Sequence, residues 1–191
     1  MKGVQAMEDT KIIDLYFARN ETAITETDRK YGTYCRSIAW NILQNHEDSE
    51  ECVSDTWLRA WNAMPPQRPR VLRQFLAKIT RNLSLDRFRA GHAQKRGSGE
   101  VPLALKELKE CVGSGDPATD AERKLLEELI GQFLQQLSQR DRGVFLRRYF
   151  YMESRKDIAA RYGMKETNVR LCLSRTRQRL REYLRKEDFP L

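Results

Sequence analysis

The sequence predicts an all-α protein, with two helical domains joined by a flexible acidic linker and a helix-turn-helix at the C-terminal end. Three observations carry this prediction. Apolar residues recur at spacings of three and four along most of the chain, and alternating β-branched runs are few. Residues 97–121 change in character to Gly, Ser, Pro and acid, with GSG at 97–99 and GSGDP at 113–117 reading as flexible joints. Ala159, Gly163, Val169 and Cys172 then stand where two helices crossing at a steep angle need a small residue, a turn glycine and two buried anchors. The expected organisation is a domain over 1–95, a linker over 96–121 and a second domain over 122–191.

The elements follow in order. Residues 7–20 form a short helix with Ile12, Ile13, Tyr16 and Phe17 on one side. Thr25–Gln44 forms a longer one, its buried stripe Tyr31, Tyr34, Ile38 and Ile42. In HEDSEECVSDTWLRAW, residues 46–61, Val53, Trp57, Leu58 and Trp61 make the apolar face, and Glu47, Asp48, Glu50, Glu51 and Asp55 the opposite one. Two readings of these acids stand side by side: carboxylates favoured by the helix macrodipole, or a docking surface for a basic partner. MPPQRPR, residues 64–70, is a stiff cationic loop, because its prolines fix the backbone and remove donors. Val71–Ala90 is helical, with Leu72, Phe75, Leu76, Ile79, Leu83 and Ala90 on one face and Lys78, Arg81, Asn82 and Arg89 on another. Loop and basic face read as a nucleic-acid surface, with Gln67 and Asn82 offering amides to base edges, or else as a solvated charged face.

Within the linker, Glu100, Glu107, Glu110, Asp116 and Asp120 outweigh Lys106 and Lys109, and Leu103, Leu105 and Leu108 form a short helical turn. Beyond it, Leu125, Leu126, Leu129, Ile130, Phe133, Leu134 and Leu137 make a strong helical stripe, and Val144, Phe145, Tyr149 and Phe150 extend that core. Ser154, with Asp157 three residues on, has the form of a helix cap. The last helix carries Lys165, Arg170, Arg175, Arg177, Arg179, Arg181, Arg185 and Lys186 against Glu166 and Glu182. That excess suits a helix lying in the major groove between two lines of phosphate.

The composition narrows the function. Thirty-five Lys and Arg against 27 Asp and Glu leave a formal charge of +8, which points to an anionic partner, nucleic acid ahead of a membrane surface. No apolar run approaches the roughly 20 residues a bilayer crossing needs, and MKGVQAMEDTK has no apolar core, so neither membrane insertion nor a secretory signal is expected. Cys35, Cys52, Cys111 and Cys172 are scattered and distant from His46 and His92, so no metal site, cofactor or disulfide framework is expected, only thiols in a reducing cytoplasm. No catalytic residue set stands out, and the chain is not expected to be an enzyme.

The residues then resemble a known family. EDSEECVSDTWLRAW is similar to the polymerase-docking segment of extracytoplasmic-function (ECF) sigma factors, often close to EDAEDLVQETFLRAW. ITRNLSLDRFR resembles their promoter-melting helix, and LSQRDRGVFLRRYFYMESRKDIAARYGMKETNVRLCLSRTRQRL their C-terminal domain. The resemblance implies a subunit that binds core RNA polymerase, recognises promoter DNA and helps open it. It assigns Glu47, Asp48, Glu50, Glu51 and Asp55 to the polymerase clamp helices. It places Gln67, Arg68 and Arg70, with Lys78, Arg81, Asn82 and Arg89, at the −10 element, where the loop would hold a flipped base. Lys165, Thr167, Asn168, Arg170, Leu171, Ser174 and Arg175 would face the −35 element, and Arg177, Arg179 and Arg181 would hold phosphates. The acidic linker would pass through polymerase channels, and an anti-sigma factor is an expected partner. Departures from the family pattern are Leu171 and Cys172 where Ser-Arg is frequent, Lys165 at the usual hydroxyl cap, and Cys52 at a usual leucine. No N-terminal inhibitory region is recognised, so the chain is not expected to mask its own DNA surfaces. The competing reading from the residues is a free-standing helix-turn-helix regulator whose N-terminal domain dimerises or senses a signal.

Overall fold

A computed structural model describes residues 7–92, 100–112 and 119–189. Nine helices and no strand occur among them. The chain divides into two compact units, Met1–Arg96 and Gly97–Leu191. The joints expected at 97–99 and 113–117 lie outside the described residues.

In the first unit, α1 (Asp9–Phe17) packs on α2 (Thr22–Leu43), and α2, α3 (His46–Ala63) and α4 (Leu72–His92) pack on one another. Ile12, Tyr16, Tyr31, Cys35, Val53, Trp57, Met64, Leu72 and Leu76 form the common core. The expected stripes locate this core with two corrections. Leu58 is 59% exposed, because it shares the solvent side of α3 with Glu51 and Asp55 rather than the side of Val53 and Trp57. Ala90 is exposed, and the α4 seam runs instead through Ala77, Thr80 and Ser84. That seam is polar: the Thr56 hydroxyl donates to Thr80 Oγ1 at 3.1 Å, and Cys52 Sγ lies 3.0 Å from Ser84 Oγ. Cys52 therefore occupies its core position with a hydrogen-bonding partner that a leucine could not use, and every buried hydroxyl in the seam is satisfied.

In the second unit, α9 (Glu166–Lys186) is the hub, touching α5 (Glu100–Val112), α6 (Asp120–Gln136), α7 (Gln139–Tyr149) and α8 (Arg155–Tyr162). Its buried stripe is Val169, Leu173, Thr176, Leu180 and Leu184. Cys172, expected as an anchor, is only half-buried, with Sγ 3.5 Å from Asp141 Oδ1, and Leu173 beside it fills the core. Short polar caps set the helix starts: Thr119 and Glu122 form a complete capping box on α6, Ser138 caps α7 and Ser154 caps α8. On α6 the stripe is narrower than expected, since Leu125 is 46% exposed while Leu129, Phe133 and Leu137 are buried. Gly163 ends α8 at φ 60°, the left-handed conformation a turn glycine supplies without a Cβ penalty.

The segment expected as a linker with one helical turn contributes a 13-residue helix, α5, to this second unit. Pro102 sits in its first turn, where a missing N–H costs nothing. Val101, Ala104 and Cys111 are its buried residues, while Leu103 is exposed.

Candidate functional site

Three surfaces contain the sequence-predicted site residues. The first is the solvent face of α3. Asn45 caps the helix, its Oδ1 accepting from the Asp48 N–H at 3.1 Å. Of the five acids only Glu47 and Asp48 lie in the first turn. Because the dipole effect falls off within that turn, it does not account for Glu50, Glu51 and Asp55. Two arginines from neighbouring helices share these charges. Arg87 of α4 reaches Glu51 at 2.8 Å, Asp55 at 3.5 Å and Asp48 at 3.7 Å, and Arg36 of α2 reaches Glu50 at 3.1 Å. The hydrogen bond from Arg87, together with its charge, holds the Glu51 carboxyl below its ordinary pKa. With five carboxylates against the guanidinium groups of Arg36, Arg87 and the exposed Arg59 of α3, the face remains acidic, and exposed Leu58 adds an apolar side chain to it. Neither Arg36 nor Arg87 was indicated by local pattern, since each acts across helices.

The second surface is the loop and outer stripe of α4. The backbone of Met64–Arg70 carries two consecutive cis bonds, Met64–Pro65 and Pro65–Pro66. Gln67, Arg68 and Arg70 are exposed. Arg68 is engaged from within the unit: its guanidinium donates to Asp14 Oδ1 at 2.5 Å and lies 5.0 Å from the Phe17 ring centroid, tying the loop to α1. Lys78, Asn82 and Arg89 are exposed on α4, and Arg89 pairs with Asp86 at 3.4 Å. Arg81 is half-buried, and burial together with the nearby Arg89 charge pulls its pKa down from the ordinary guanidinium value.

The third surface is the outer side of α9. Lys165, Thr167, Asn168, Arg170, Leu171, Ser174 and Arg175 are all exposed. Lys165 occupies the N-cap position without a side-chain cap bond, which leaves the first amides of the helix available. Asn168, Leu171 and Arg175 line a cleft of about 400 Å³ with Arg140 and Asp141 of α7. Two of the arginines expected at phosphates are already engaged. Arg177 Nη1 lies 3.3 Å from Glu107 Oε2, and Arg181 donates to the Glu110 carbonyl, both on α5. Both contacts come from α5, the helix within the segment expected as a linker, so these two arginines have partners inside the unit.

Arg148 was also missed. It is wholly buried, pairing with Glu100 Oε2 at 2.5 Å. Its signal was present in the helical register: 144, 145, 148 and 149 share the inward side of α7, so an arginine at 148 had to be buried and paired.

Two family models match the chain, and two curated relatives resemble it. The model of sigma-70 region 2 matches residues 28–94, and that of sigma-70 region 4 matches residues 127–180. The chain is 28% identical over 167 residues to the ECF RNA polymerase sigma factor SigE of Mycolicibacterium smegmatis, covering 85% of this chain and 62% of SigE. It is 29% identical over 150 residues to the probable RNA polymerase sigma factor RfaY of Xanthomonas campestris, covering 78% of this chain and 37% of RfaY. The matches thus span less than two thirds of either relative. Among the described residues, no helix is long and apolar enough to cross a membrane.

Proposed function

The chain belongs to the sigma-70 family, in its ECF class, and on that premise we propose that it directs core RNA polymerase to a set of two-part promoters in the cytoplasm and helps open them, without being an enzyme. Residues 1–95 act as region 2 and 122–191 as region 4. The observation that carries this reading is the combination in one small unit of an acidic helix face and, on separate elements, a proline-rich cationic loop with a basic helix stripe. A sensing or dimerisation domain has no need of that pairing.

In this reading Glu47, Asp48, Glu50, Glu51 and Asp55, with Leu58 among them, dock on basic residues of the polymerase clamp. Gln67, Arg68 and Arg70 approach the −10 element. The bond from Arg68 to Asp14 supports a preformed loop, which lowers the ordering cost of capturing an unstacked base. Lys78, Arg81, Asn82 and Arg89 follow the adjoining strand. Lys165, Thr167, Asn168, Arg170, Leu171, Ser174 and Arg175 enter the major groove of the −35 element. An anti-sigma factor restrains the chain until it is needed.

Run-off transcription with purified core polymerase on genomic fragments tests the whole. Discrete new starts sharing spaced upstream elements are expected only when the protein is added. Salt-sensitive DNA binding by the protein alone, with no new starts, would replace this reading by the free-standing regulator. Within the reading, Gln67→Ala is expected to change base preference at the −10 element while leaving −35 binding intact. Equal loss at both elements would mark a general stability effect and remove Gln67 from base recognition.

A further inference from the structure

Helix α5 lies against α7 and α9, and its acids meet a cluster of arginines. Glu107 is the centre. Its carboxylate lies 3.3 Å from Arg177 Nη1, 3.7 Å from Arg148 Nε and 3.8 Å from Arg155 Nη2, and it accepts a hydrogen bond from the Tyr149 hydroxyl at 3.0 Å. Tyr149 in turn accepts from Arg177 at 2.5 Å, and Cys111 Sγ lies 3.1 Å from the Arg177 carbonyl. One carboxylate thus serves three guanidinium groups, with Glu100 as the second acid at Arg148. The cluster keeps unfilled donor capacity: buried Nε atoms of both Arg148 and Arg155 have no hydrogen-bond partner. With Arg148 Nε and Arg155 Nη2 both within 4 Å of Glu107, this unfilled donor capacity fits an anion with more acceptor oxygens than a carboxylate has.

We propose that Arg148, Arg155 and Arg177 form a site for a backbone phosphate of duplex DNA, and that α5 holds this site closed in the free chain with Glu107 in the place of the phosphate. The proposal rests on the reading of α8 and α9 as a DNA-binding helix-turn-helix. Position supports it: Arg155 opens α8, Arg177 lies on α9, and in such motifs the first helix crosses the phosphate backbone while the second enters the groove. Ser174, expected at the −35 element, lines the same cleft as Glu107 and Arg177. Energetics allow an exchange. At 13 residues α5 is near the length at which an isolated helix is marginal in water, so once displaced it has little to hold it folded. The arginine cluster favours whichever anion supplies more charge-assisted bonds. Free chain and DNA-bound chain then differ by an order–disorder change in one short helix.

Two measurements on the full chain test this, using a mixed-sequence DNA duplex at low salt. Glu107→Gln keeps the size of the side chain and an acceptor for Tyr149 while removing the competing charge. It is expected to tighten DNA binding about tenfold, since the closed fraction no longer subtracts from apparent affinity. Glu128→Gln, an equal charge change at an exposed position of α6, controls for net charge and is expected to change little. Hydrogen exchange on the unaltered protein provides a readout independent of variant folding. Amides of 100–112 should lose protection as those of α9 gain it when duplex is added. Protection of α9 with α5 still protected, or equal gains from both substitutions, would overturn the competition and leave the DNA reading standing. No protection of α9 in Glu107→Gln, where the competing charge is gone, would remove this proposal, while promoter reading with core polymerase stands or falls by the run-off experiment.

Discussion

Replacing Glu51 and Asp55 together by lysine is expected to lower affinity for core polymerase by about a hundredfold or more, because like charges set against a basic partner surface cost several kcal/mol. The two positions are one turn apart on α3, on the side that also carries exposed Leu58 and turns away from Val53, Trp57 and Ala60. The core of the unit is therefore untouched, and the melting midpoint should move little. Arg87 makes the change larger than a simple count of charges suggests. In the native protein it is shared among Asp48, Glu51 and Asp55. After the reversal it would stand beside two lysines, turning a net-acidic patch into a net-basic one. Leu58→Ala, which leaves all charges in place, should weaken binding by about tenfold, the scale of losing one apolar contact within an interface. Titration of labelled core polymerase with each purified variant gives both numbers. Unchanged affinity in the double variant, with the fold intact by melting, would place the docking surface elsewhere on the chain.

The parts of this molecule that a reader of the sequence can find are those in which each residue answers to neighbours three or four positions away. Tyr31, Ile38 and Ile42 mark the buried side of α2 by spacing alone, and Ser154 with Asp157 marks the start of α8 as written. Gly163 announces the turn because glycine takes φ 60° there without a Cβ penalty. What escaped the sequence depends on partners far along the chain. Arg87 lies 36 residues from Glu51, and Arg148 lies 48 from Glu100. Helix α5 escaped for a related reason. Its inward residues are Val101, Ala104 and Cys111, two small side chains and one branched one, so its apolar stripe is faint. Its docking draws instead on Glu100 and Glu107, which in sequence look like the charges of a solvated linker. Leu58 misled in the opposite direction, since an apolar residue near an apolar stripe invites assignment to it. The helical period itself separates them: Leu58 is seven residues from Glu51 and three from Asp55, two full turns and one turn along the same side.

The same separation of sides decides what to expect from α9. Arg170→Ala with Arg175→Ala should reduce recognition of the −35 element by about a hundredfold, each good bidentate contact to a base contributing about 1–3 kcal/mol of discrimination. Both side chains are exposed on the half of the helix that follows the turn, and Arg175 lines the cleft with Asn168 and Leu171. Leu173 and Thr176, the neighbours that hold the helix in place, point inward and are unaffected. The change should therefore leave core polymerase binding and melting as they are while removing the response to single-base changes in the −35 element. Arg179→Ala provides the contrast. If it contacts phosphate, it should weaken binding to all sequences alike and reduce the salt dependence by about one charge. Binding measured over a panel of single-base variants of the promoter separates these outcomes. Should the double variant weaken every sequence equally, Arg170 and Arg175 hold the backbone and base reading falls to Lys165, Thr167, Asn168, Leu171 and Ser174. Such readers reach less far than arginine, and the helix would then have to sit deeper in the groove. A deeper helix needs the flank now covered by α5 to be cleared first, so this outcome would bind the reading of bases to the release of Glu107 from the arginine cluster.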